Sequence, residues 1–494
     1  MILEKNLQEN TMPLRLKTGN PTGITTIATL LPIVLWLLFL GNVINLIHSL
    51  PNTGEWLFDK WLRINGFTYL IWTTVTFFSA VVASYAKNYL TGFRYQSKFM
   101  WLCLGFTLSV MTLVMANHIS LLILSWLLMG FFMSQLIGVD ARWGEAQEAL
   151  KFTQRYFAAG TLFLAGGVIL LAYESGMYTV SGITAAMGDL PLYSVTIAAI
   201  CISTAAIIQS AIYPFHRWLL SAMTAPTPAS ALMHAGFVNG AGIILALFST
   251  VFFSSNTLNI LLIIGGLTAI IAQFTKLLQV NVKHKLACST MAQMGFMIMQ
   301  CGLGFFNAAV AHLILHGFYK AYLFLASGEE IALSKPQKPP KIRIKPLQAF
   351  VVLLFGLAGA ALFAFFTGKG TQLDSGIFLT LIVAITVGQI TYNIVKEKSL
   401  TVIQKILLPP VLFFSGISLY ALLYNGVTLL MADLSMTAVP LPITAAQIVF
   451  GVVFLIGFFI MKLGVYRKIP WLYVKLLNLS QPEKKTILNY KSNV

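Results

Sequence analysis

Residues 99–138 read FMWLCLGFTLSVMTLVMANHISLLILSWLLMGFFMSQLIG, forty residues without a lysine, arginine, aspartate or glutamate. Each half suffices to cross a bilayer, whose hydrocarbon core takes about 20 apolar residues of helix. The polar Asn117-His118 step divides the run. It therefore reads as two spans, 99–117 and 119–138, that leave one side of a membrane and return to it. Lys98 precedes the pair and Arg142 follows it, so positive charge marks the side of departure.

The same reading extends in both directions. Further apolar segments fall at 24–47, 67–86, 157–173, 193–215, 229–253, 257–280, 286–305, 307–327, 347–366, 376–396, 406–430 and 444–466. They predict an all-α integral membrane protein of about 14 transmembrane helices. The expected organisation is a cytoplasmic tail over 1–23, a polytopic membrane domain over 24–466 and a basic cytoplasmic tail over 467–494. Residues 335–346 are basic and proline-rich and read as an extended cytoplasmic connector that divides ten spans from four. The first apolar stretch is too long for a signal-peptide core and no small-residue cleavage site follows it, so it is expected to stay in the membrane.

With the N-terminus in the cytoplasm, 27 of the 32 Lys and Arg collect on that side. Lys60, Arg63 and Lys369 lie on the other, and Lys276 and Lys320 fall inside spans. An asymmetry of nine to one in the loops predicts that both termini are cytoplasmic. The net charge of +17 is spread over every second loop, a pattern of anchoring at a lipid bilayer and not of nucleic-acid binding. Cys103, Cys201, Cys288 and Cys301 lie in apolar segments without metal-ligand spacing and read as core residues. No phosphate-cradling glycine loop, nucleophile elbow or HExxH motif appears, so neither a cofactor nor a metal nor a covalent catalytic site is expected here. Function is then sought among polar groups inside the membrane.

The tenth span carries His312, His316 and Lys320. At i, i+4 and i+8 they drift by about 40° per step and form a stripe about 12 Å long on one helix face. Imidazoles titrate near neutral pH and a desolvated lysine can release its proton, so such a stripe can relay protons through intervening water. The competing reading is structural, with the histidines bonding neighbouring helices and Lys320 snorkelling. A second constellation runs from Tyr213 to Gly236. Pro214, Pro226 and Pro228 prevent a regular helix until about Ala229, with Gln209 just before the break and His234 about two turns beyond it. Interrupted helices admit water and expose backbone dipoles at mid-membrane; the bland alternative is a cytoplasmic turn. His216 and Arg217 read as interfacial.

The stretches Gln209–Gly242, Asn281–Phe296 and His312–Gly328 resemble the proton-translocating antiporter-like subunits of respiratory complex I and the Mrp antiporters, over roughly residues 65–400. The resemblance implies an antiporter-like bundle with two inverted five-helix units, each with a broken helix, placed in the sixth and eleventh spans. It also implies relay roles for His234 and Lys283, beside the stripe. Lys283 sits in a short basic loop by the boundaries above. Lys276, near a cytoplasmic end, and Lys369, offset by about one residue from the family's second broken-helix lysine, are weaker candidates.

Two positions depart from the family. Leu127 stands where Trp126-Leu-Leu-Met-Gly130 would carry a glutamate, and Gln209 stands where the first broken helix would carry a lysine. No acidic residue lies deep within a span as bounded above, and a sodium site built without carboxylates is poorly compensated. Within the family the chain is most similar to the DabB-like membrane subunits of bacterial inorganic-carbon uptake systems. That likeness implies protons or another monovalent cation as the driving ion, a bacterial inner membrane, and a large peripheral zinc protein of the DabA kind on the cytoplasmic side. The zinc belongs to that partner. The alternatives are a proton-pumping subunit of a respiratory NADH-quinone oxidoreductase and a sodium/proton antiporter subunit of the Mrp type.

Overall fold

Long apolar runs bounded by charged or glycine-rich turns have one low-energy form in lipid, the helix, which satisfies its own backbone. In the computed structural model, which describes residues 24–50, 54–333, 346–396 and 400–487, that form dominates. The chain begins with α1 (Thr26–Ser49), a hairpin of β1 (Trp56–Phe58) and β2 (Leu62–Ile64), then α2 (Gly66–Tyr89), α3 (Gln96–Met115), α4 (Ile119–Ile137) and α5 (Gly144–Ser175). Short α6 (Val180–Ala185) leads to α7 (Leu192–Gln209). An interrupted run follows, made of α8 (Arg217–Ser221), α9 (Thr227–Ala235), α10 (Gly240–Leu247) and α11 (Ser249–Ser254). The remainder is α12 (Leu258–Lys276), α13 (Val282–Gly302), α14 (Phe306–Leu333), α15 (Pro346–Thr367), α16 (Gly376–Lys396), α17 (Val402–Leu430), α18 (Ala445–Leu463) and α19 (Pro470–Leu479).

Every expected segment coincides with a helix or, at 229–253, with the run α9 to α11. Among the described residues, 11 helices are long and apolar enough to cross a membrane. α16 and α18 add shorter apolar stretches, Gly376–Tyr392 and Ala445–Gly457. α13 is not among the 11, its first turn being Val282-Lys-His-Lys285. Helix α5 starts at Gly144, well before residue 157, because Glu145, Lys151 and Arg155 let it continue past the apolar layer on a solvated face. Helix α14 runs to Leu333 and so includes Glu329 and Glu330. The N-terminal tail and the connector's residues 335–345 lie outside the described residues.

The interrupted run forms the centre. Its span Thr227–Leu247 is 89% buried, whereas Thr26–Ser49 is 28% buried and lies at the periphery. α12 and α13 cross in close contact at paired glycines. A Cβ on Gly265 would lie 2.6 Å from the Gly295 carbonyl oxygen, and one on Gly295 equally close to that of Gly265. Small residues let helix backbones approach where lipid gives no hydrophobic drive.

At the end of the bundle that carries few basic residues, loop 431–444 ties the elements together. Asn307 donates its backbone N–H to Thr437 O, Val439 donates to Gly304 O, Ser249 Oγ to Ser435 O and Ser375 N to Leu441 O. Arg63 of β2 pairs with Glu55 and donates to Asp433 O at 3.2 Å. At the opposite, basic end, the segment expected as a simple tail folds back as α19 and packs Leu476 with Tyr466 and Phe274.

Candidate functional site

The helix break expected in the sixth span is present. α7 stops at Gln209, Ala211 takes a left-handed φ of 54°, and helix resumes at Arg217 in the five-residue α8. The break expected in the eleventh span is absent: α15 runs unbroken from Pro346 to Thr367. Its one proline occupies the first helical position, where a missing N–H costs nothing, and the chain turns only afterwards, at Gly368 and Gly370 with φ of 67° and 77°. The seventh segment is instead interrupted again, at Gly236 (φ −123°, ψ −62°) and at Phe248.

Each interruption strands backbone carbonyls that a low-dielectric interior penalises. The breaks satisfy one another. Gln209 Nε2 donates to Phe237 O at 3.2 Å, and Ser210 Oγ donates to Val238 O at 2.8 Å. Asn239 Nδ2 donates to Ala235 O at 2.7 Å and to Leu313 O of α14 at 3.2 Å. Trp218 Nε1 donates to Ile208 O at 2.8 Å. Gln209, at the family's lysine position, is thus a neutral brace. Leu127, at the glutamate position, is 43% exposed on the outer face of α4, whereas Trp126 beside it is buried.

The stripe of α14 lies inside this framework. The His312 and His316 rings are nearly parallel, with centroids 6.1 Å apart. His312 Nε2 and both His316 nitrogens are buried without a protein hydrogen-bond partner. His234 from α9 is fully buried, stacks on Phe324 of α14 at 4.3 Å, and likewise leaves both nitrogens unpartnered. Lys320 is fully buried and donates from Nζ to Leu286 O of α13 at 3.0 Å. Lys283 belongs to the first turn of α13 and not to a loop, because Asn281 caps that helix through the N–H groups of Lys283 and His284. Its Nζ donates to Ala225 O at 2.8 Å. His234 is within electrostatic reach of Lys320 and Lys283, and His316 of Lys320, His312 and His234.

The structure therefore joins Lys283, His234, Lys320, His316 and His312 in one row. Lys276 closes α12 near the same end, within electrostatic reach of Lys320. Lys369 lies apart, after α15, with Nζ 4.2 Å from the Phe305 ring at the head of α14. Pro214 stands in the loop between α7 and α8, outside the row, with its carbonyl 3.2 Å from His216 Nδ1. Sequence reasoning missed Asn239, Ser210 and Gln300, whose Oε1 is buried without a partner. Polar residues in apolar runs are the signal the sequence offers for them.

The transmembrane model of the NADH:quinone oxidoreductase/Mrp antiporter family matches residues 116–394. A Bacillus anthracis protein named "Probable inorganic carbon transporter subunit DabB" is 33% identical over 69% of this chain and 67% of its own length. The NADH-ubiquinone oxidoreductase chain 5 of Cryphonectria parasitica is 28% identical over 72% of this chain and 55% of its own length. Among solved structures, a chain of the archaeal membrane-bound sulfane sulfur reductase superposes with TM-score 0.57 at 20% identity, covering 92% of each chain, which shows a shared fold. The chain belongs to the NADH:quinone oxidoreductase/Mrp antiporter transmembrane family.

Proposed function

We propose that this chain is the proton-conducting membrane subunit of an energy-coupled complex that takes up inorganic carbon. The observation that carries the proton-conducting role is the row Lys283, His234, Lys320, His316 and His312, basic throughout, buried at its three middle members and lined with unpartnered ring nitrogens. Buried imidazoles exchange protons with water and with each other, whereas a site for a metal cation calls for oxygen ligands and compensating carboxylates. The names of its DabB relatives support the carbon cargo.

In this reading the basic end of the bundle faces the cytoplasm of a bacterium, as the loop charges imply, and both termini lie there. A large peripheral zinc protein of the DabA kind docks on that face and performs the CO2 chemistry, driven by protons passing through this chain. The respiratory reading draws on the likeness to chain 5, but the exposed Leu127 and the bracing Gln209 leave no carboxylate–lysine pair at those positions.

The test is growth of a carbonic-anhydrase-deficient bacterium in air on this chain plus the zinc protein encoded beside it. Lys320→Arg keeps the charge but does not deprotonate, so growth is expected to be lost at normal abundance. Full growth of Lys320→Arg refutes the relay. Purified alone, the chain is expected to hydrate no CO2, and hydration by such a preparation refutes the division of labour.

A further inference from the structure

The geometry points to a positioning role for His216 and Ser221, which the C-terminal segment 464–487 clasps to fix the helix break at the basic end of the proton row. Helix α8 is short, and a five-residue helix cannot hold its own orientation. It is pinned from three sides. Trp218 Nε1 ties it to the end of α7 at Ile208 O. Lys283 Nζ ties the turn that follows it, at Ala225 O, to α13. The third side belongs to the C-terminal segment.

His216 Nε2 lies 2.8 Å from Leu479 O at the end of α19, and the His216 side of that contact is buried. Nδ1 faces the Pro214 carbonyl at the longer distance of 3.2 Å, so the neutral tautomer with its proton on Nε2 makes the shorter bond, donating to Leu479 O. Glu483 donates its backbone N–H to Ser221 Oγ at 3.0 Å, and Thr486 Oγ1 bonds the same hydroxyl at 3.1 Å. Ser480 and Thr486 are 1% and 5% exposed. Arg217 and Glu483 add an ion pair at 3.6 Å, partly solvated and of small weight. On its way the segment packs Tyr466 edge-on against Phe274 of α12 at 5.2 Å. It thus crosses the basic end from α12 to α8, and the carbonyl that Lys283 holds lies one turn beyond Ser221.

A buried hydroxyl that serves two partners and a buried imidazole that meets a distant backbone carbonyl are specific, desolvated contacts, costly to lose singly. Releasing them frees α8 to tilt, and Ala225 O then leaves Lys283. A loosened break lets the row fall out of register while the bundle stays inserted.

This role rests on the proton-row reading, so the experiment separates the two. The pair Ser221→Cys and Thr486→Cys is placed in the full chain, expressed with its partner. Copper-phenanthroline oxidation is expected to link the two residues, seen as a joined 221/486 peptide by mass spectrometry; absence of that link, with both thiols reactive to maleimide, overturns the clasp whatever the chain transports. In a His216→Leu background, carbon-dependent uptake is expected to fall several-fold when the pair is reduced and to recover on oxidation, because the disulfide replaces the lost contact. A formed link without recovery overturns positioning. Ser221→Thr, which keeps the hydroxyl, is expected to retain uptake that Ser221→Ala loses, and equal uptake by the two also overturns it. If the parent chain supports no uptake while the link forms, the transport reading falls and the clasp stands.

Discussion

At the scale of single residues, the two departures from the family carry different burdens. Gln209 is buried and donates to a stranded carbonyl, so Gln209→Lys buries a cation and removes the brace. Leu127→Glu puts a carboxylate on an outward face. Each is expected to destabilise the protein by about 2–3 kcal/mol, the cost of a charge at membrane depth. If these positions formed a pair in this chain, the double variant would regain stability. Because one faces out and the other in, the two effects are expected to add to within about 0.5 kcal/mol. Thermal unfolding in detergent of both singles and the double measures this, and strong compensation would refute it. His316→Ala is expected to abolish proton uptake by vesicles at unchanged abundance, since alanine favours the helix but cannot titrate.

At the scale of elements, the stripe on α14 was legible in the sequence because i, i+4 spacing fixes a helix face whatever surrounds it. The break after Gln209 was legible from its prolines. The brace was not, since the carbonyls that Gln209 and Ser210 serve lie 28 residues away and are freed by a second interruption at Gly236. No proline announces that interruption. The expected break in the eleventh span came from the family resemblance and its repeat, and α15 has no proline beyond its first residue to support one. Lys283 moved from loop to helix because the Asn281 cap starts α13 before its apolar residues do. Asn239→Leu is therefore expected to cost about 1–3 kcal/mol by stranding Ala235 O, read as a lowered midpoint of thermal unfolding.

The clasp is also an element-scale device, and its pH dependence has a definite sign. Burial pushes the His216 imidazole down to about 4. Arg217 beside it, itself paired with Glu483, is the charged group that bears on it, and the Tyr213 ring lies tilted against it with centroids 3.8 Å apart. A histidine whose folded value lies below its free value of about 6.5 stabilises the docked form above that pH and progressively less as pH falls toward 4. Maleimide labelling of a single Thr486→Cys is expected to be slow at pH 7 and to speed up at pH 5, relative to an exposed control thiol. A flat ratio would contradict the assignment.

At the scale of the whole molecule, the loop charges carry the proposal that both termini are cytoplasmic, which requires an even number of membrane crossings. Cytoplasm-specific reporters fused to each end are expected to be active at both, and an inactive reporter at one end would overturn the even number of crossings. The way the final segment returns to the broken helix was not legible in the sequence, because contacts 263 residues apart leave no local pattern.

The loop over the sparsely charged end has a consequence for biosynthesis. Every partner it holds, at Ser249, Gly304, Asn307 and Ser375, leaves the ribosome before it does. The row of titratable groups is then complete in the nascent chain before that loop ties the head of α14 at Gly304 and Asn307. On the proposed proton-conducting reading, a chain that stops near Met431 keeps the whole row without the loop that ties its far end, and is expected to leak protons when inserted in vesicles, which a pH-sensitive dye reports.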